Sequence, residues 1–254
     1  MKAYEQTINL LNTLKLKGIM KHLDEILNDA EQTKSSYIQF LKSIFHAEIA
    51  ERTKRCYERN LSGAHFPNMK KIETFEFGRV KGIGKSEVIN LRDCHWIDKR
   101  ENLLFFGPPG IGKTHLAIAL GVNAIEQGYT VCFERMTNLI RLLKTMEIQR
   151  TAGYRIRRLL KVDLVIIDEI GYTPIEKREA NLFFNLVTQL YEKSSIIITS
   201  NKGFDSWAEM MGDTVMTTAL LDRLLHHSRI YNLDGDSYRI KDKLIAKEVN
   251  GHSL

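Results

Sequence analysis

Residues 107–114 read Gly107-Pro108-Pro109-Gly110-Ile111-Gly112-Lys113-Thr114. The run satisfies G-x-x-x-x-G-K-[ST] in every position. Residues 103–106, just before it, are a short apolar run that predicts a strand. Residues 114–127, just after it, have helical periodicity. In that context glycines let the backbone wrap closely round a phosphate with its N–H groups pointing inward. The helix that begins near Lys113 adds the positive end of its dipole. Lys113 would bring a cation to the β- and γ-phosphates of a nucleotide, and the Thr114 hydroxyl is placed to ligate Mg²⁺. His115 follows directly and joins residues 107–114 as a nucleotide contact. A second G-K-S, in Lys81-Gly82-Ile83-Gly84-Lys85-Ser86, has Arg79 where the pattern needs glycine, so it is read as a loop with no strand before it.

The next informative stretch is Leu164-Val165-Ile166-Ile167-Asp168-Glu169. Four apolar residues followed by an acid describe a buried strand that delivers a carboxylate at its C-terminal end, where open α/β sheets bind ligands. Asp168 would hold Mg²⁺ and Glu169 would polarise an attacking water. Alone this pattern is weak, because strands often end in acids. Paired with residues 107–114 it is strong. Ile196-Ile197-Ile198-Thr199-Ser200-Asn201 is a further buried strand with a polar end. Asn201 there is a candidate to reach the γ-phosphate and the water, against the plainer role of capping a turn.

Outward from these motifs, residues 131–133 read as another strand and 180–191 as a helix. The alternation argues for an α/β fold with a largely parallel sheet covered on both faces. Residues 1–60 look helical: Leu11, Leu14, Ile19, Leu23 and Ile26 recur at near-helical spacing, and so do Tyr37, Phe40, Leu41, Ile44, Phe45 and Ile49. These stripes are read as the core of a small helical module. Residues 61–77 are turn-rich and read as a linker, and 86–98 as a further helix. The expected division is an N-terminal helical docking domain over 1–65 and a nucleotide-binding domain over 66–254.

The chain has 254 residues and a formal net charge of +6. A basic balance suits either a polyanionic partner or a mildly basic enzyme. Cys56, Cys94 and Cys132 are odd in number and far apart, which fits a reducing cytoplasm and gives no support to a disulfide framework. No stretch has the apolar length needed to span a bilayer. A metabolic P-loop kinase would need an acceptor site and a mobile lid, and the sequence offers neither.

The segments GPPGIGKTHLAIALG, VDLVIIDEIGY, IIITSN, ALLDRLLHHS and DGDSYRIK resemble the IstB-type transposition helper ATPases of bacterial insertion sequences, relatives of the DnaC helicase loaders in the AAA+ superfamily. The resemblance runs over essentially the whole chain. It implies an AAA+ P-loop NTPase core with a parallel five-stranded sheet. It implies a homo-oligomeric ATPase that uses ATP and Mg²⁺, binds double-stranded DNA and works with its cognate transposase in selecting target DNA. It also implies an arginine supplied to a neighbouring subunit's nucleotide, and Arg223 in Leu221-Asp222-Arg223-Leu224 matches that motif, against a surface arginine paired with Asp222. Little of the chain follows its last strand, which leaves little or no room for a C-terminal lid, and Arg239 is not assigned to the nucleotide. A DnaC-like replicative helicase loader would use the same ATP site, and what distinguishes the two is the partner of residues 1–60.

Residues 141–161 hold Arg141, Lys144, Arg150, Arg155, Arg157, Arg158 and Lys161 against one acid, Glu147. In initiator-type relatives a helical insertion here lines the nucleic-acid channel, so Arg141, Lys144, Arg150, Arg155, Arg157 and Arg158 are the candidate phosphate contacts. A solvated helix face is the plainer reading. His226 and His227 resemble metal ligands, but no carboxylate or thiol stands at a useful spacing in the sequence.

Overall fold

The computed structural model describes residues 2–172, 174–235 and 237. The sequence motif at Tyr238-Arg239, the expected absence of a lid and the position of Arg239 lie outside the described residues. The chain divides into two compact units between Arg59 and Asn60.

The N-terminal unit is built from α1 (Lys2–Thr13), α2 (Lys17–Thr33) and most of α3 (Tyr37–Ala64). Ile19 and Leu23 are buried between them. At the start of α2 the buried Glu48 carboxylate accepts hydrogen bonds from Gly18 N (2.7 Å) and Ile19 N (3.2 Å). Arg52 Nε donates to its other oxygen at 2.6 Å. One acid thus satisfies two orphan donors of a helix N-terminus and fixes α2 on α3. Burial opposes ionisation of Glu48, but the Arg52 guanidinium and the two backbone donors outweigh it and hold the carboxyl below its usual range. The apolar stripes do not all form a core. Leu14, Tyr37, Leu41, Phe45 and Ile49 are exposed. Within this unit much of the apolar stripe of α3 is exposed.

The second unit follows with β1 (Val80–Lys81), α4 (Lys85–Leu91), α5 (His95–Asp98), β2 (Asn102–Phe106), α6 (Lys113–Glu126), β3 (Val131–Arg135), α7 (Met136–Thr145), α8 (Arg150–Leu159), β4 (Leu164–Ile170), α9 (Lys177–Leu190), β5 (Ser195–Ser200), α10 (Asp205–Met211), α11 (Thr214–Leu225), β6 (Ser228–Asn232) and β7 (Asp234–Gly235). The helix expected over 86–98 is two, broken where Cys94 takes a left-handed conformation. The G-K-S decoy does have a short strand before it, β1, and a helix after it, so it is not a plain loop.

The main sheet has five parallel strands in the order β3-β4-β5-β2-β6. Of the three central strands, β2 and β4 are mostly apolar and β5 carries Ile196, Ile197 and Ile198 between polar ends; they are buried through 102–106, from 164 to 168 and through 195–200, as a sheet covered on both faces requires. Helix α6 is enclosed almost all round, from Leu116 to Ile125. It follows β2 directly, so the first turn of α6 is held over the C-terminal edge of the sheet. The edge strand β6 is different: Tyr231 is its one buried residue.

Candidate nucleotide site

The phosphate loop is held at its base and at its back. Gly107 N donates to Ser200 O at the end of β5 (3.2 Å), and Leu233 N donates to Phe106 O (2.7 Å). Behind the loop the chain passes so close that a Cβ on Gly107 would sit 2.1 Å from Leu233 O, and one on Gly110 would sit 2.2 Å from Ser237 Oγ. Both glycines also have positive φ. Lys113 Nζ donates to the carbonyls of Gly107 (2.6 Å) and Pro108 (2.8 Å), which places its ammonium over the mouth of the cradle. A phosphate oxygen competes for that ammonium with neutral carbonyls, and a charged acceptor makes the stronger bond.

Thr114 and Asp168, 54 positions apart in sequence, are joined by a 2.7 Å hydrogen bond from Thr114 Oγ1 to Asp168 Oδ1. Asp168 is fully buried. Its other oxygen, Oδ2, has no hydrogen-bond partner among the described residues. A buried carboxylate oxygen without a donor is costly, and a hard divalent cation satisfies it with the oxygen ligand such an ion prefers. The donor set of Thr114 and Asp168 therefore fits Mg²⁺.

Thr199, on β5, orders this acid pair, a role that the sequence motif did not reveal. Its hydroxyl donates to Asp168 Oδ1 (2.6 Å) and accepts from Glu169 N (2.9 Å). Between residues 167 and 170 the β4–β5 register slips, and Glu169 takes φ +65°. A bulge at this point turns the Glu169 side chain out of the strand's alternation, and a non-glycine residue in the left-handed region is strained. Glu169 Oε2 then lies 3.7 Å from Arg135 Nε. The Thr199→Val variant keeps the shape and loses the hydroxyl, leaving a backbone donor and a carboxylate short of a partner. Stability is expected to fall by about 1–3 kcal/mol, and turnover of ATP to fall more than its binding. Thermal unfolding with steady-state kinetics checks this, and an unchanged kcat would dismiss the hydroxyl's role.

Gly110, Gly112, Lys113, Thr114, His115, Arg135 and Glu169 line one cavity of about 420 Å³. Its other wall is Pro67, Asn68, Lys70, Thr74, Phe75 and Glu76, from the stretch expected to be a linker. Phe75 Cε2 stands only 2.8 Å from where a Cβ on Gly112 would be, and the ring meets His115 edge-on. His115 Nε2 is 3.0 Å from Lys71 O, so it carries the proton and donates. Burial lowers the imidazole below its usual pKa, against the pull of the Lys71 carbonyl. His115 thus fastens α6 to the wall opposite. Asn201 follows Ser200, the residue bonded to Gly107, and its buried Oδ1 has no partner among the described residues. Asn201 does not cap the next helix, where Phe204 holds the N-cap position.

Arg223 is not part of this group. Asn102 Nδ2, at the start of β2, donates to Leu224 O (2.9 Å). The end of α11 therefore sits at the N-terminal edge of the sheet, the length of β2 away from residues 107–114. The Arg223 guanidinium lies 4.9 Å over the Phe184 ring and donates to Ala219 O, rather than pairing with Asp222. Nearby, Glu192 comes within ligand distance of His226 and His227, their candidate atoms all within 4.8 Å of one another. The carboxylate that the sequence spacing did not show is supplied by the α9–β5 turn, and the three residues are exposed.

The basic run is sorted by burial and by partner. Arg155 faces inward and pairs with Glu134, which is 1% exposed. Arg158 packs over Gly63. Lys144 is bound to Glu179 at 2.7 Å. Arg141, Arg150, Arg157 and Lys161 are exposed.

The IstB-like ATP binding protein family matches residues 9–246. A Pseudomonas aeruginosa protein named for insertion sequence IS21 and for ATP binding is 42% identical over 92% of this chain and 88% of its own length. Among solved structures, that of DnaI superposes with a TM-score of 0.54 at 15% identity, over 66% of this chain and 89% of the other. The DnaC helicase loader gives 0.50 at 20% identity, over 65% and 96%. The two structural likenesses speak for the AAA+ fold, and with the family match the conclusion is that this chain belongs to the IstB-like ATP-binding proteins of insertion sequences.

Proposed function

We propose that the protein is an ATP-hydrolysing regulator of transposition, which assembles on duplex DNA, helps to select target DNA and recruits or stimulates its transposase. The observation that carries this reading is the convergence of Lys113, Thr114 and Glu169 on one cavity, with the buried Asp168 bonded to Thr114. Backbone N–H groups and Lys113 would take the phosphates. Thr114 and Asp168 would hold Mg²⁺, which supplies neutralisation of phosphate charge when bound. Glu169 would accept a proton from the attacking water as its bond to the γ-phosphate forms, and Asn201 would orient that water. Arg223 would serve a neighbour's nucleotide, since the length of the sheet separates it from its own. Residues 1–65 would dock the transposase, in keeping with the open stripe of α3 and a groove of about 710 Å³ between α2 and α3.

Light scattering with and without ATP, Mg²⁺ and a short random duplex, on wild type and Lys113→Ala, tests the reading. Growth in size with ATP and DNA that Lys113→Ala cannot show supports it. A monomer indifferent to DNA overturns it. For the DNA face, the outward residues are the ones to change. The Arg150→Ala/Arg157→Ala/Lys161→Ala variant is expected to lower the slope of log affinity against log salt by about 2–3, measured by fluorescence anisotropy. Arg155 is unsuitable for that test, because its removal strands the buried Glu134 charge.

A further inference from the structure

We infer that the turn between α7 and α8 is an apolar wedge that enters the duplex between base pairs, with Ile148 as the inserted side chain. This rests on the DNA-binding reading above. Ile148 is 86% exposed and Tyr154 is 65% exposed, in a unit that buries most of its large apolar side chains. The turn is well fixed: Ile148 N and Gln149 N both donate to Thr145 O, at 3.1 and 2.8 Å. The inner faces of the two helices are spent on the core, through Leu139, Ile140 and Leu143 on α7 and Ala152, Ile156 and Leu159 on α8. The hairpin is thus a rigid projection with a β-branched apolar residue at its tip.

What surrounds the tip names the occupant. Arg150, Tyr154, Arg157 and Lys161 recur at intervals of four, three and four along α8 and just beyond it, and all are exposed. That spacing makes one stripe. Arg141 is exposed on α7 and held by Asn138 Oδ1 at 2.7 Å. Glu147 is the single acid of the run. Cations on a stripe, an aromatic among them and an aliphatic residue at the leading end form a surface complementary to nucleic acid. The cations hold phosphates on either side, and the aliphatic residue replaces one stacked neighbour. Wedges of this kind, with Ile, Leu or Met inserted from the minor groove, kink duplexes by about 20–90°. They need no base-specific hydrogen bond, so the kink would favour deformable steps rather than a fixed sequence. A neutral protein partner would leave the exposed cations Arg141, Arg150, Arg157 and Lys161 without counter-charges.

The test uses the full chain with ATP and Mg²⁺ on a short random duplex carrying a donor and an acceptor dye at its ends. Energy transfer reads bending, and permanganate reactivity reads unstacked thymines. Wild type is expected to bend the duplex and expose thymines. Ile148→Ala is expected to lose most of both signals while its affinity falls less than about tenfold, because the phosphate contacts remain. A duplex that wild type binds but neither bends nor unstacks overturns the wedge, and so does an Ile148→Ala variant that bends as wild type does. Loss of ATP-driven assembly by Ile148→Ala without any DNA would mark the tip as a subunit contact instead, and also overturns it. If the Arg150→Ala/Arg157→Ala/Lys161→Ala variant binds DNA as wild type does, the DNA-binding reading fails on that face, a result distinct from failure of the wedge alone.

Discussion

ATP hydrolysis by the Glu169→Gln variant is expected to fall by about 10²–10³-fold with nucleotide binding nearly unchanged. The amide keeps the size of the side chain and its place at the bulge, but it cannot accept the proton of the attacking water. Steady-state hydrolysis and equilibrium binding of a labelled nucleotide separate the two effects. A variant that hydrolyses ATP within a few fold of wild type would remove Glu169 from the chemistry. The backbone supplies an independent check on why the side chain points as it does. Glu169 has φ +65°, so Glu169→Gly should be more stable than Glu169→Ala by about 1 kcal/mol, seen as a melting temperature about 2–4 °C higher. Neither should turn over ATP. Equal stabilities would mean that the conformation carries no strain.

Arg223→Ala is expected to lose about 10³-fold in hydrolysis and to be rescued in mixtures. Arg223 lies across the sheet from its own phosphate loop, so a subunit lacking it still has an intact nucleotide site. Lys113→Ala has the opposite defect, an impaired site with Arg223 in place. Alone, each should be nearly inactive. Mixed, a Lys113→Ala subunit can present its arginine to the site of an Arg223→Ala neighbour, and part of the activity should return. Light scattering shows whether the two variants co-assemble. Co-assembly with no recovered hydrolysis would argue that Arg223 acts within its own chain or not on phosphate at all.

The elements that were legible in the sequence are those whose chemistry is local. The phosphate loop is eight consecutive residues, and the central strands are apolar runs because both their faces are covered. The five-stranded parallel sheet was expected from family resemblance, since β6 has only Tyr231 buried and leaves no apolar run to read. Contacts that depend on two distant segments were not legible. Thr199 could be seen as a strand residue, but its bond to Asp168 exists only once β4 and β5 lie side by side. The stretch before the sheet looked like a linker because it lacks periodicity, yet Thr74 and Phe75 form a wall of the cavity. Charge counting could not tell Arg155, which neutralises Glu134, from Arg157, which faces out. Glu192 joins the two histidines through a turn that no spacing rule anticipates. The apolar stripes of α3 were correctly helical, but periodicity does not say what covers a face.

Leu233 and Ser237 back the phosphate loop, so variants of that loop report on folding as well as on nucleotide binding. Gly107 and Gly110 are confined from the protein side as well as from the ligand side. A side chain at either one strikes Leu233 or Ser237 before any nucleotide is involved. Intolerance of Gly107→Ala or Gly110→Ala would therefore be expected in a screen for soluble expression, and not only in one for ATP turnover. Sensitivity at these two positions is a measure of wall thickness, and the affinity of the site for phosphate is better read from Lys113, whose side chain ends on the loop's own carbonyls.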